Sequence, residues 1–435
     1  MSGQAGDAAR YLADYININT VNPPGNEIHG AEFFARIFER EGIKYEIAES
    51  APGRGNIWAR LKGGEAPALL LLHHMDVVPA SPETWNTDPL KAVVKDGKII
   101  GRGTLDTKGL GIVQQQAFLA LHRAGGPKKR DVIFMATADE EAGGLLGAGW
   151  LIKHRPEIFE NVGYLLNEGG DGTLTGEHVG FSIEVAQKRP YWLRLIARDK
   201  PGHGSSPRPT SAPGRLIAAL NRIQNAPFEP RIIEPVRRMF HDMAPAMEDK
   251  WQAAFLDIDK AIRDPAFLPA LQEEHPHFNA LTRNTCSITM LSGSEKINVV
   301  PSSAQAELDC RILPDQEAKE FLVALRDRIN DDKIEVQEIM LFGPGQSAID
   351  NEFYALLRDT IRKHFPGASF VPSVSGGFTD SHFFRDLGIT SYGFAPYVIP
   401  AEDQSGVHGN NEQISLHALE QGSEIMTEIV MQFSR

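Results

Sequence analysis

Four short aliphatic runs, separated by stretches of helical periodicity, set the strongest limit on what this chain can fold into. The runs are residues 68–72, 132–136, 164–166 and 389–394. Apolar spacing predicts helices over residues 8–16, 31–41, 111–124, 145–153, 317–329, 352–364 and 416–433. An uninterrupted apolar run is what a strand covered on both faces requires, and strands alternating with helices place such strands in a parallel sheet. The expected class is therefore α/β, a mixed, largely parallel sheet flanked by helices. Ligands of such sheets gather at the carboxyl ends of the strands. His74, Glu140, Glu141 and Glu168 fall at or just past the ends of those runs.

The middle of the chain reads differently. Residues 191–197 and 285–291 have strand character, residues 214–224 helix character, and residues 234–281 form a helical stretch carrying Phe240, Met243, Met247, Trp251 and Phe255. This predicts an α+β domain, residues 188–313, inserted into a first domain made of residues 1–187 and 314–435. The aromatic stretch is expected to be extra core packing, with an apolar wall over a ligand as the alternative. A formal charge of −13 and the lack of a Lys/Arg-rich run speak against nucleic acid as a partner. No signal-peptide pattern is present at the N-terminus, and no apolar run approaches the ~18–20 residues of a membrane span. Cys286 and Cys310 are expected as two half-buried thiols, which suits a reducing cytoplasm.

Five stretches carry chemistry. In His74-Met75-Asp76, alternation puts both polar side chains on one face, so Asp76 can accept a hydrogen bond from the imidazole nitrogen that binds no metal. His73 then points the other way, as a core histidine. Asp106 lies between Gly101-Arg102-Gly103 and Lys108-Gly109, where a tight turn can hold one carboxylate whose two oxygens bridge two cations. A helix N-cap is the plainer reading of that aspartate. The adjacent Glu140 and Glu141 point to different neighbours, so one can bind metal while the other takes a proton from water. Glu168 and His408 complete a set in which every role of a two-metal site is filled once.

This set, in this order from about His74 to Glu412, resembles the di-zinc family that contains aminoacylase, glutamate carboxypeptidase, acetylornithine deacetylase and succinyl-diaminopimelate desuccinylase. The resemblance implies a zinc-exopeptidase-like catalytic domain with two zinc ions, for which cobalt or manganese could substitute. His74, Asp106 and Glu168 would hold one ion, and Asp106, Glu141 and His408 the other. Glu140 would be the catalytic base, Asp76 would orient His74, and Asp106–Thr107 is a candidate cis peptide. The inserted domain would be a lid that also forms a homodimer. Its His203, in Pro201-Gly-His-Gly-Ser-Ser-Pro207, would polarise the scissile carbonyl. Asn298 and Arg311 would hold a substrate carboxylate, and Gly376 and Gly377 would line the same pocket.

The implied activity is amide hydrolysis of a small N-acyl amino acid or short peptide with a free carboxylate. Glutamate at position 168 favours an acylase or carboxypeptidase over a dipeptidase or aminopeptidase. A non-catalytic zinc-binding scaffold would have lost a ligand or the base, and none is missing here. A structural-metal regulator would need closed sites, usually rich in cysteine.

Overall fold

A computed structural model describes residues 4–435. Along the strand Ala66–His74, Leu69 and Leu71 belong to one apolar cluster while Leu70 and Leu72 belong to another, and all four are fully buried. This two-sided burial is why the run has no polar interruption. The strand is flanked in parallel register by Arg130–Thr137 and Val162–Asn167, and Thr390–Gly393 adds parallel to the latter. These four form the centre of a ten-stranded sheet. Antiparallel Gly55–Leu61 and Tyr45–Glu49 extend it beyond Arg130–Thr137, and His178–Gln187 continues it antiparallel beyond Thr390–Gly393.

One face is covered by the helices Gln4–Ile16, Ile28–Glu41, Lys108–Arg123, Glu352–His364 and Leu416–Ser434, whose apolar residues share one cluster with Leu69, Leu71, Val132 and Phe134. The other carries Ala148–His154 and Ser381–Asp386, packed through Leu151 and Phe384. The expected α/β class is present, with the helices predicted over residues 8–16, 31–41, 111–124, 145–153, 352–364 and 416–433; the one predicted over residues 317–329 lies outside this sheet's cover. No helix among the described residues is long and apolar enough to cross a membrane.

The chain divides into two units. The first comprises the chain up to Val185, Ser347–Ser373 and Thr379–Arg435; the second comprises Ala186–Gln346 and Val374–Phe378. The second unit holds a four-stranded antiparallel sheet in the order Thr285–Ser292, Ser303–Ile312, Arg189–Arg198, Ile334–Leu341. The helices Ala212–Asn225 and Ala318–Ile329 supply Leu216, Leu220, Phe321 and Leu325 to its core.

The insertion therefore runs past the boundary expected at residue 313, because Ile334–Leu341 pairs with Arg189–Arg198 from Tyr191↔Leu341 to Ala197↔Ile334. Five short helices between Glu234 and Leu281 pack around Phe240 and Phe255, both fully buried with ring centroids 4.6 Å apart. The aromatic stretch is thus core packing.

Cys286 and Cys310 are not free thiols. They face each other across adjacent strands and form a disulfide. Each lies within its own strand, at positions nothing in the local sequence pairs; the antiparallel register brings them together.

Candidate metal centre

His74 is the last residue of its strand and is almost fully buried. Its Nε2 lies 3.0 Å from Asp106 Oδ1 and 3.5 Å from Glu168 Oε2. His408 Nε2 lies 2.9 Å from the other oxygen of the same carboxylate, Asp106 Oδ2, and 3.1 Å from Glu141 Oε2. The two imidazoles thus sit on opposite oxygens of Asp106. The ligand-type atoms form two groups, His74/Asp106/Glu168 and Asp106/Glu141/His408, each with its atoms within 4.8 Å of one another. The peptide bond Asp106–Thr107 is cis.

Five carboxyl groups crowd this place: Asp106, Glu140, Glu141, Glu168 and Asp380. Among the described residues, no lysine or arginine forms an ion pair with any of them. Four of them are raised, whereas in Asp106 the hydrogen bonds to His408 and His74 outweigh burial and hold the carboxyl well below the usual range. Burial, then the charge of Glu168, pushes Glu140 well above the usual carboxylate range. Burial also raises Glu141, Glu168 and Asp380. Burial opposes the charged form of His74, but Glu168 and hydrogen bonds to Asp106 and Asp76 outweigh it and raise its pKa. Hydrogen bonds to Asp106 and Glu141 raise His408 to about 10. Glu168 Oε1 is buried with no hydrogen-bond partner. Excess negative charge, an orphaned carboxylate oxygen and a donor set of imidazole and carboxylate fit a pair of divalent cations.

Asn22, Arg54 and Asp139, which the sequence did not single out, help set the site in place. Asp76 does less for His74 than expected. His74 Nδ1 lies 2.9 Å from the main-chain oxygen of Asp76 and 3.5 Å from its carboxylate. That carboxylate instead accepts the main-chain N–H of Glu140 and of Glu141, both at 3.1 Å, and Asn22 Nδ2 at 2.8 Å. It holds the turn Glu140–Ala142, which starts after Asp139 at a φ of 74°. Asp139 is in turn fixed by Arg54 at 2.8 Å and by the Leu146 N–H at 2.9 Å. His73 is the core histidine expected, fully buried and driven to about 3 by burial.

Glu412, expected only as the end of a stretch, is wholly buried and joins two loops. Its carboxylate accepts the N–H of Gly103, Leu105 and Asp106 at 2.9, 2.6 and 3.0 Å, and Arg102 Nη1 at 2.8 Å. Arg102 also donates to the carbonyls of Gly406 and Gly409 on either side of His408. The strands Gln413–Ser415 and Lys98–Ile100 pair beside this cluster. Asp380, at the end of the glycine stretch, accepts Thr137 Oγ1 at 3.0 Å.

The remaining expected residues belong to the second unit. His203 and Asn298 are exposed and close together: His203 pairs with Val299, and Gly204 N–H donates to Asn298 O at 2.8 Å. Arg311 is not an open fork. Its Nε and Nη2 are engaged by Asp309 at 2.7 and 3.1 Å, leaving Nη1 buried without a partner. Gly376 and Gly377 lie on an exposed segment.

The sequence model of the peptidase family M20/M25/M40 matches residues 70–432. The chain belongs to that family. Among curated M20-type relatives, the N-fatty-acyl-amino acid synthase/hydrolase PM20D1 of Xenopus tropicalis is 31% identical over 400 residues, covering 89% of this chain and 76% of that protein. Aminoacylase-1B of Rattus norvegicus is 25% identical over 427 residues, covering 96% and 92%. The fold matches the M20 family metallo-carboxypeptidase Sso-CP2 from Sulfolobus solfataricus with a TM-score of 0.71, at 17% identity and over 100% of both chains. The protein is thus an M20-family metallo-amidohydrolase.

Proposed function

We propose that the chain hydrolyses the amide bond of N-acyl amino acids bearing a free α-carboxylate. The observation that carries this is the paired arrangement on Asp106, with Glu140 buried beside it and in neither ligand group. The substrate class draws on PM20D1 and aminoacylase, whose names give acylated amino acids as their chemistry. His74, Asp106 and Glu168 would hold one zinc ion, and Asp106, Glu141 and His408 a second; cobalt or manganese fits the same donors. When bound, the pair polarises the scissile carbonyl and makes water a better nucleophile near neutral pH.

Glu140 is the base in this reading. The Asp76 carboxylate holds its turn through main-chain N–H groups, so the Glu140 side chain is left free of ligand duty. Burial and neighbouring carboxylates raise its proton affinity, which suits a group that takes the proton of the attacking water and then gives it to the leaving nitrogen. As water oxygen bonds to the carbonyl carbon and the C–N bond breaks, the products are a carboxylate and a free amine. His203 donates a hydrogen bond to the oxygen on which charge develops, and Asn298 and the free Nη1 of Arg311 hold the α-carboxylate.

A homodimer through the second unit is part of this proposal. The edge strand Thr285–Ser292 exposes Met290 and Leu291, an apolar pair on an unpaired sheet edge. A cytoplasmic setting, expected from two thiols, loses its ground with the Cys286–Cys310 disulfide, which favours an oxidising compartment.

The test is product detection by mass spectrometry after incubating zinc-loaded protein with N-acyl amino acids, dipeptides and the C-terminally amidated forms of both. Cleavage confined to acylated substrates with a free carboxylate is expected. Equal cleavage of the amides would remove the carboxylate clamp, and cleavage of dipeptides alone would make the chain a dipeptidase.

A further inference from the structure

A cavity of about 480 Å³ lies wholly within the second unit, between the helix Ala212–Asn225, the helices Phe267–Glu274 and Pro276–Leu281, and the strand Thr285–Ser292. Its lining includes Ile223, Pro227, Phe228 and Ile288 as apolar wall and Asn279 and Arg283 as polar groups. None of its residues belongs to the metal centre or to the lid residues assigned above.

Three observations mark it as built to hold something. Asn279 is only 8% exposed, yet its Oδ1 has no hydrogen-bond partner. Arg283 Nε is buried and likewise unpartnered, and among the described residues no acid forms an ion pair with that guanidinium; Glu229 acts on it only from farther away. Not one Asp or Glu lines the cavity, in a chain of net charge −13. Beneath it, the buried Lys188 amine donates to the carbonyls of Ala280 and Arg283 and to Thr285 Oγ1 at 2.7, 2.8 and 2.9 Å, while burial and then Arg311 push it down to about 7, so the positive charge of the site is that of Arg283. Buried polar atoms are nearly always paired, and a half-buried cation without an anion is costly.

We propose that this cavity is a binding site for an amphipathic monocarboxylate. The carboxylate pairs with Arg283, an N–H or O–H of the ligand satisfies Asn279 Oδ1, and the apolar part lies against Phe228, Ile223 and Ile288. The shared chemistry covers free fatty acids and acylated amino acids. The site stands on its own residues and does not depend on what the metal centre hydrolyses.

The experiment is photolabelling of the full-length, zinc-loaded protein with a diazirine-bearing decanoate, mapped by peptide mass spectrometry. Label is expected on peptides containing residues 223–228 and 279–288, displaced by decanoate or N-decanoylglycine but not by neutral decanamide. Displacement by one of the two acids only, compared in the Glu140→Gln protein so that N-decanoylglycine is not cleaved to decanoate, would name the source of the carboxylate. Arg283→Gln should weaken half-saturation by about tenfold or more, the loss of a charge-assisted hydrogen bond. Ser287→Trp, at an exposed lining position, should block labelling by filling the cavity without touching its charge. Glu140→Gln should leave labelling unchanged whether or not the chain proves to be an amidohydrolase of acylated substrates. Label confined to other peptides, equal displacement by decanamide, or labelling indifferent to both cavity variants would overturn the site.

Discussion

Replacing Glu412 by glutamine tests whether one buried carboxylate holds the metal centre together. The side chain has no exposed surface, and its two oxygens take four donors: Leu105 N–H and Asp106 N–H on one, Gly103 N–H and Arg102 Nη1 on the other. An amide offers a single acceptor oxygen, so whichever way it turns, an NH₂ group faces two donors. Two charge-assisted bonds are lost at ~1.5–3 kcal/mol each. Arg102, 3% exposed, is left without its acid, a loss that typically costs ~3–5 kcal/mol. The first route gives about 3–6 kcal/mol and the second about 3–5 kcal/mol, either a large share of the ~5–15 kcal/mol that holds a domain folded.

The comparison belongs at pH 8, because burial and Asp106 push Glu412 up to about 7 and the charged form is the one being tested. Urea unfolding and zinc content per chain after dialysis against buffered zinc are the readouts. The variant should unfold at lower urea and bind fewer than two ions where the unaltered chain is full. Glu412→Leu combined with Arg102→Leu should recover part of the stability, since no unpaired charge is left buried. A Glu412→Gln protein with an unchanged urea midpoint and a full complement of zinc would refute the reasoning.

Glu140→Gln should lower the rate by about 10²–10⁴-fold while zinc content and urea midpoint stay put, read by product formation and metal analysis. Chelation should lower the unfolding temperature by leaving the five carboxyls facing one another, and zinc should restore it, the gain rising with the logarithm of free zinc once the sites are filled. Gly144→Ala places a Cβ 2.2 Å from Asp380 Oδ1 at a φ of 70°, and should cost about 1–3 kcal/mol in urea unfolding; a neutral result would contradict that packing. Thiol titration of the denatured protein without reductant should find no free cysteine, and reducing the 24-residue link should cost about 3 kcal/mol, whereas two free thiols would remove the disulfide.

The central strands, and the ligand-type side chain at the end of one of them, are legible because two-sided burial leaves an apolar run at Leu69–Leu72 and puts His74 where the run stops. The pairing of both imidazoles on Asp106 rested on resemblance rather than on any local signal. What could not be read depends on contacts distant in sequence. Helix Ala318–Ile329 has the same period in either unit, and strand Ile334–Leu341 alternates burial only weakly, so nothing at residue 313 announced that the insertion continues. Asp76 stood two residues from His74, and sequence proximity suggested a partner that geometry gives to the turn at Glu140. Arg311 offered five donors on paper, and Asp309, two residues earlier on the same strand, takes two of them.

The order in which the chain leaves the ribosome gives the shared aspartate a further meaning. His74, Asp106 and Glu168 all precede the inserted second unit, so the first ligand group is written before the chain reaches His408, on the far side of that insertion. The second group waits for His408, and so does Glu412, the acid that fixes Asp106 from the far side. Since chains fold as they emerge, N-terminal part first, a product interrupted before His408 would lack half of the proposed centre. In the proposed centre, competence to hydrolyse would thus arrive only once His408 and Glu412 are in place.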